Sequence, residues 1–363
     1  MRTSLIASLL LLFHPVLPAQ EVIPDAFQVM PPSISARVER CTDFDLAHLR
    51  WINDLTVDSS GFLWCVSTLD GLARFDGYEA RWYREDATDT LGRFKSAFTS
   101  VAIDGEGFVW SGSPAGVMRV DPATGQSRWY MDTPNDTTSV LPGSPSLLVT
   151  SEGEVWTGGN RGIAKYNRTS ESFTCFSYPQ ESLTPSVPSS PLRGKIAFCQ
   201  IGRSIWIGFQ GTGIARFDRY DHTWKIYRHD PRNDSGPSSD NVFAVCGDRS
   251  GNLWVGSDTG LERYSPGTNR WQRPDTWRDA SLRVPRIWVT GIVEDEYGGI
   301  WISTGGEGVF RVDPKQGHLL QLLHDPTDPM SIPFNHVANV RPWRSGGRPQ
   351  SGRATAPPPT SIV

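Results

Sequence analysis

The side chains that could carry chemistry in this sequence are few, and most of them fall in recurring places. His229-Asp230-Pro231 and His324-Asp325-Pro326 are a matched pair. Histidine can serve as a base or a ligand near neutral pH, but a residue that recurs with a repeat serves the repeat, so both are read as structural. His222 and His318 lack a partner at ligand spacing, and a metal needs several converging ligands; no metal site is expected. Glu294, Asp295 and Glu296 form a short acidic cluster, read as a solvated turn. Glycoside cleavage would require two carboxylates facing each other about 5–9 Å apart, and no pair stands out. The five cysteines, Cys41, Cys65, Cys175, Cys199 and Cys246, share no CxxC spacing; they read as isolated thiols packed as small hydrophobes. There is no histidine box, no ATP-binding glycine loop after a strand and no receiver-like βα alternation. The expectation is a chain without catalytic residues, without a cofactor and without enzyme activity.

The elements that would position any site are repeated. Aligning on tryptophan gives Gly61-Phe62-Leu63-Trp64, Gly107-Phe108-Val109-Trp110, Gly153-Glu154-Val155-Trp156, Arg203-Ser204-Ile205-Trp206, Gly251-Asn252-Leu253-Trp254 and Gly298-Gly299-Ile300-Trp301. Successive tryptophans lie 46, 46, 50, 48 and 47 residues apart. A glycine follows each (Gly71, Gly116, Gly162, Gly213, Gly260, Gly308), and then an apolar and basic strand such as Ile214-Ala215-Arg216-Phe217. Each unit reads as four strands. The first is apolar and ends on an acid (Asp58, Asp104, Asp248, Asp295), an Asp-x-x-Gly turn follows, and the second strand carries the tryptophan. A four-stranded antiparallel unit of this length, repeated, is the pattern of a β-propeller. The fold class is therefore all-β, with six recognisable repeats and the start of a seventh at Asn335–Val340. Trp64, Trp110, Trp156, Trp206, Trp254 and Trp301 are expected to fill the gaps between blades.

The stretch Asp248–Tyr264 (DRSGNLWVGSDTGLERY) resembles the two-component regulator propeller repeat, and the likeness extends over about residues 50–340. The resemblance implies a propeller of seven blades, often one of two in tandem, that forms the periplasmic sensor region of hybrid two-component systems. It also implies an extracellular ligand, with an oligosaccharide as the expected class. Loops carry specificity on a rigid scaffold, so the turns between second and third strands are the expected ligand rim: Asp70, Asn160, Arg161, Gln210, Asp258 and Glu307. A secreted propeller enzyme, lyase or glycoside hydrolase, and a protein-interaction scaffold are the alternatives.

Composition sets the remaining bounds. The chain has 363 residues and a formal charge of −4, which offers no basic footprint for nucleic acid. Residues 1–19 read as a signal peptide cut after Ala19, so the chain is expected to be periplasmic or secreted, and no apolar run is long enough to span a bilayer. Residues 20–49 read as a lead-in and 50–340 as the propeller. Residues 341–363 read as a disordered, out-of-frame or truncated tail, because the seventh repeat stops matching there and the composition turns to Arg, Pro and Gly. Either six blades close the ring, or an open seven-bladed ring leaves a sheet edge prone to self-association.

Overall fold

A computed structural model describes residues 52–67, 71–75, 80–83, 98–133, 136–141, 143, 146–159, 161–179, 196–232, 235–273, 284, 286–315, 318–328, 331–343 and 361–362. It contains six four-stranded sheets, each with its strands in sequence order and every neighbouring pair antiparallel. Blade one, for example, is Ile52–Val57, Leu63–Ser67, Gly71–Phe75 and Ala80–Tyr83. The sheets form a ring, a β-propeller of six blades. Ile52–Val57, Ser100–Ile103, Ser146–Val149, Ala197–Ile201, Val242–Gly247 and Val289–Glu294 are the inner strands, and residues of all six line one axial channel.

Each motif tryptophan sits in a core shared by two blades. Trp64 packs with Phe98, Val101 and Val109 of blade two, and Trp110 with Val155 and Tyr166 of blade three. Trp156 meets Ile205 and Phe217 of blade four, Trp206 meets Leu253 and Tyr264 of blade five, and Trp254 meets Ile300 and Phe310 of blade six. All six are at most 4% exposed. A single twisted sheet cannot bury both its faces, and a large ring between neighbours removes apolar area from water where two sheets diverge. The basic residue of each third strand lies over the same indole. Arg74, Arg119, Lys165, Arg216, Arg263 and Arg311 approach their tryptophan rings to 5.7–5.9 Å, within cation–π range.

The acid that ends the first strand is a clamp. Asp58, Asp104, Asp248 and Asp295 each accept the indole N–H six residues on, at 2.8–3.0 Å. The other carboxylate oxygen accepts backbone N–H groups two and four residues ahead, as Asp104 does from Glu106 and Phe108. Asp295 is accordingly not in a solvated turn as its sequence context suggested. It is 4% exposed and pairs with Arg311 at 2.8 Å, because the buried guanidinium and indole draw it inward.

The ring closes through the segment expected to begin a seventh blade. Residues 335–341 lie beside blade six: Gly308 N donates to the Asn335 carbonyl, Val337 N donates to the Thr304 carbonyl, and Gly305 and His336 form a β-bridge. Val337 and Val340 join Ile332 in the core around Trp301, which gives that tryptophan the cover its counterparts receive from a following blade. Arg341, first residue of the expected tail, belongs to the ring. Its Nε and Nη2 donate to Asp54 of blade one at 3.0 and 2.7 Å. Pro342–Trp343 pairs with Ser361–Ile362, and the rest of the expected tail, like residues 1–51, lies outside the described residues.

Candidate functional site

The axial channel encloses about 630 Å³, within the range of small-molecule sites. Its lining runs from the face where the inner strands begin, taken as the mouth, towards their ends at Val57, Ile103 and Val149. The turns between second and third strands lie on the same face as the connections between blades: Gly211 N and Gly213 N of blade four both donate to the carbonyl of Asp240 in the connection to blade five.

Three inner strands are irregular where they reach the mouth. The register shifts between Ile52 and Asp54, between Val242 and Ala244, and between Val289 and Gly291. The extra residues are Asn53, Phe243 and Thr290, and all three line the channel. A bulge re-aims a side chain that regular alternation would send elsewhere. Thr290 Oγ1 donates to the carbonyl of Val337 at 2.5 Å and pairs with Ser303 Oγ at 2.9 Å, which ties the closing segment to blade six. Gly291 beneath it leaves no room for a side chain, since an added Cβ would stand 2.8 Å from Asn339 Oδ1.

Phe243 faces Trp288 with ring centroids 5.4 Å apart, and Trp288 meets His336 edge-on at 6.0 Å. These three rings form an arc at the mouth. Trp288 lies on the backbone of Gly305, where a Cβ would come within 2.5 Å of the indole, and its own carbonyl accepts from Gly305 N. One indole face is thus fixed on the protein, yet the residue stays 44% exposed, unlike the six motif tryptophans. A large aromatic held rigid and left open to solvent is a stacking surface.

Of the expected rim residues, Gln210 lines the channel and bridges to Asn241. Asn241 Nδ2 donates to exposed Asp258 at 2.8 Å, so Gln210 and Asp258 are brought to one side of the mouth through Asn241. Arg161 and Glu307 are exposed on the rim and do not line the channel; their backbones hold Tyr178 and Gln321. Asp70 and Asn160 lie outside the described residues. The sequence reading missed Phe243, Trp288 and His336. The signal for Trp288 was present as a tryptophan out of step with the repeat.

Ionisable groups in the channel wall are Asp54, Arg341 and His336 among the described residues. Asp54 is 3% exposed and also accepts from Leu55 N and Val101 N, so it is committed to holding blades one and two to the closing segment. His229 and His324 are structural: each Nδ1–H donates to a carbonyl eight residues on, Pro237 at 3.0 Å and Ile332 at 2.8 Å. Burial pushes the thiols of Cys65 and Cys246 up to about 12, so both stay protonated and inert. Among the described residues no group of three or more acidic, histidine or cysteine side chains could hold a metal ion.

Comparison with known proteins agrees with this architecture. The family described as two component regulator propeller matches residues 236–259, across the turn and tryptophan strand of blade five. The chain carries the two component regulator propeller repeat. No curated protein matches the sequence. Among solved structures, the chain is similar to the extracellular domain assigned to a hybrid two component system from B. thetaiotaomicron, with 18% identity and a TM-score of 0.63. That likeness covers 82% of this chain and 38% of the other, so the propeller chain spans well under half the length of that relative. A second extracellular domain from the same organism, assigned to a one component system, aligns with 17% identity and a TM-score of 0.58 over 80% of this chain and 36% of its own. Virginiamycin B lyase from Staphylococcus aureus shares the fold at 12% identity and a TM-score of 0.55, over 76% of this chain and 85% of the lyase. No helix among the described residues is long and apolar enough to cross a membrane.

Proposed function

We propose that this chain is the ligand-sensing propeller of a two-component type regulator, acting outside the cytoplasm and reading an extracellular ligand at the mouth of its axial channel. The observation that carries the reading is Trp288, an indole immobilised on Gly305 and open to solvent between Phe243 and His336. Gln210, Asn241 and Asp258 supply a polar edge on the same face. An oligosaccharide suits this combination, since a sugar ring offers C–H groups to an aromatic face and hydroxyls to amides and carboxylates. The extracellular domains that share the fold support the placement outside the cell and the coupling to a separate output.

Calorimetric titration of the purified chain with an oligosaccharide panel tests the proposal. At least one ligand is expected to bind, with Trp288→Ala lowering its affinity about tenfold and leaving the melting temperature in place. Binding that is indifferent to both Trp288→Ala and Gln210→Ala overturns the mouth as the site. The lyase fold gives a second reading some footing, because His336 stands at the mouth as the one imidazole in the described channel wall. Cleavage of a panel member that is abolished by His336→Ala would favour an enzyme; unchanged ligands after long incubation favour a sensor.

A further inference from the structure

Below the mouth the channel wall changes character. Asn53, Thr99, Ser146, Gln210 and Thr290 line its upper end, where the inner strands begin. Deeper positions are richer in apolar side chains, with Thr56 between Leu55 and Val57 and the Arg341–Asp54 pair as the polar exceptions. Leu55, Ile103, Val149, Phe198 and Ile292 are half-buried: each sets one side into a core within or between blades and lines the channel with the other. Val57 adds to this wall at the far end, next to Ile103 and Val149 on the following strands. The one acid in this wall, Asp54, is neutralised by Arg341. From Asn53 to Val57 the strand runs about 13 Å, enough for a medium-length alkyl chain. Apolar cavity walls hold water poorly and accept apolar guests.

We infer that the channel takes an amphiphile, with its polar ring held at the mouth and an unbranched apolar chain inserted towards Val57, Ile103 and Val149. The inference rests on the mouth being a ligand site and adds the chemical class of the part that enters. Transfer of each methylene from water to an apolar wall strengthens binding about three- to fourfold. Affinity therefore climbs with chain length until the chain outgrows the channel.

The test is calorimetric titration of the full chain with methyl, hexyl and octyl glucosides, all below micelle-forming concentration. The expected result is a rise of at least tenfold from methyl to hexyl. Ile292→Trp, which fills the channel, and Ile103→Asn, which makes its wall polar, are each expected to flatten the series, with circular dichroism confirming that both variants fold. Equal affinity for methyl and octyl glucoside overturns the inference and leaves the mouth reading standing. A chain-length dependence that survives in both folded variants also overturns it, since the chain then binds elsewhere. A chain-length dependence that both channel variants flatten, with affinities unmoved by Trp288→Ala, supports the apolar chain in the channel and removes the mouth as the seat of its polar end.

Discussion

In blade five the indole N–H of Trp254 reaches Asp248 Oδ2 at 2.9 Å, whereas in blade four Trp206 Nε1 is buried with no partner among the described residues. The difference begins in the turn. Blade five pairs Gly247 with Leu253 and leaves a five-residue loop that Asp248 organises. Blade four pairs Ile201 with Ser204 across a two-residue turn in which Gly202 has φ +53°, so Trp206 lies seven residues after its cross-strand partner Cys199, where Trp254 lies eight after Cys246. Gln200 then occupies the place six residues before the tryptophan. Its side chain turns outward, where Oε1 accepts from Ser151 N and Nε2 donates to Glu152 of blade three. Arg219 of blade four reaches the same neighbour, with contacts of 3.1 Å to Glu152 and 2.9 Å to Glu154. Glu154 in turn accepts the indole N–H of Trp156 at 3.1 Å. Surface polar groups join neighbouring blades in both cases, since Arg249 of blade five likewise reaches Glu294 and the Glu296 carbonyl of blade six; what blade four lacks is the acceptor for its indole. Aromatic burial is common to both arrangements and holds the blade; the aspartate fixes the turn.

Substitutions that separate the clamp from the burial put this comparison at risk. Asp295→Ala should have the largest effect, about 3–5 kcal/mol by denaturant unfolding, because it leaves Arg311 buried and uncompensated and strips the acceptor from Trp301. A loss below about 1 kcal/mol would show that the clamp is dispensable. Arg341→Ala should cost about 2–3 kcal/mol, as Asp54 keeps its backbone donors but loses its counter-ion. The sharpest test is a matched pair. Both Trp254→Phe and Trp206→Phe shed similar ring area, but only the first abandons a made hydrogen bond. Trp254→Phe should therefore be the more costly by about 1–2 kcal/mol, and equal costs would break the distinction between the two blades.

The smallest effect is a pH dependence. Arg219 beside Glu152 holds that carboxyl at about 2, below the ordinary 4.5. A depressed value means that the stabilisation is present above pH 4.5 and is lost as pH falls towards 2. Glu152 is half-exposed, so the contribution is about 0–1 kcal/mol. Glu152→Gln should lower stability by that amount near pH 7 and converge with the parent chain as pH falls towards 2, which flattens the acid limb of the stability–pH curve.

Periodicity made the blades legible, since Trp64 through Trp301 with their following glycines state the repeat and its strand order directly. The aspartate clamp was visible as a constant spacing, but spacing alone does not say that Asp295 points inward to Arg311 and not out to solvent. Of the rim positions read from the turns, Gln210 reaches the channel, while Arg161 and Glu307 do not line it. The aromatic arc was not legible because it depends on irregularities. Phe243 and Thr290 occupy bulges that interrupt alternation, and Trp288 lies just ahead of a strand, outside every repeat position. Arg341 was hidden for another reason: its composition resembles the segment after it, while its partner Asp54 is 287 residues away in the chain.

That separation has a consequence for synthesis. Each blade can zip up from local hairpins as it leaves the ribosome, yet the carboxylate of Asp54 must wait for its guanidinium until the last stretch of the propeller has been made. At about 5–20 residues per second the interval is roughly 15–60 s. During that time the nascent protein is a split washer whose first sheet has a buried anion and no lock.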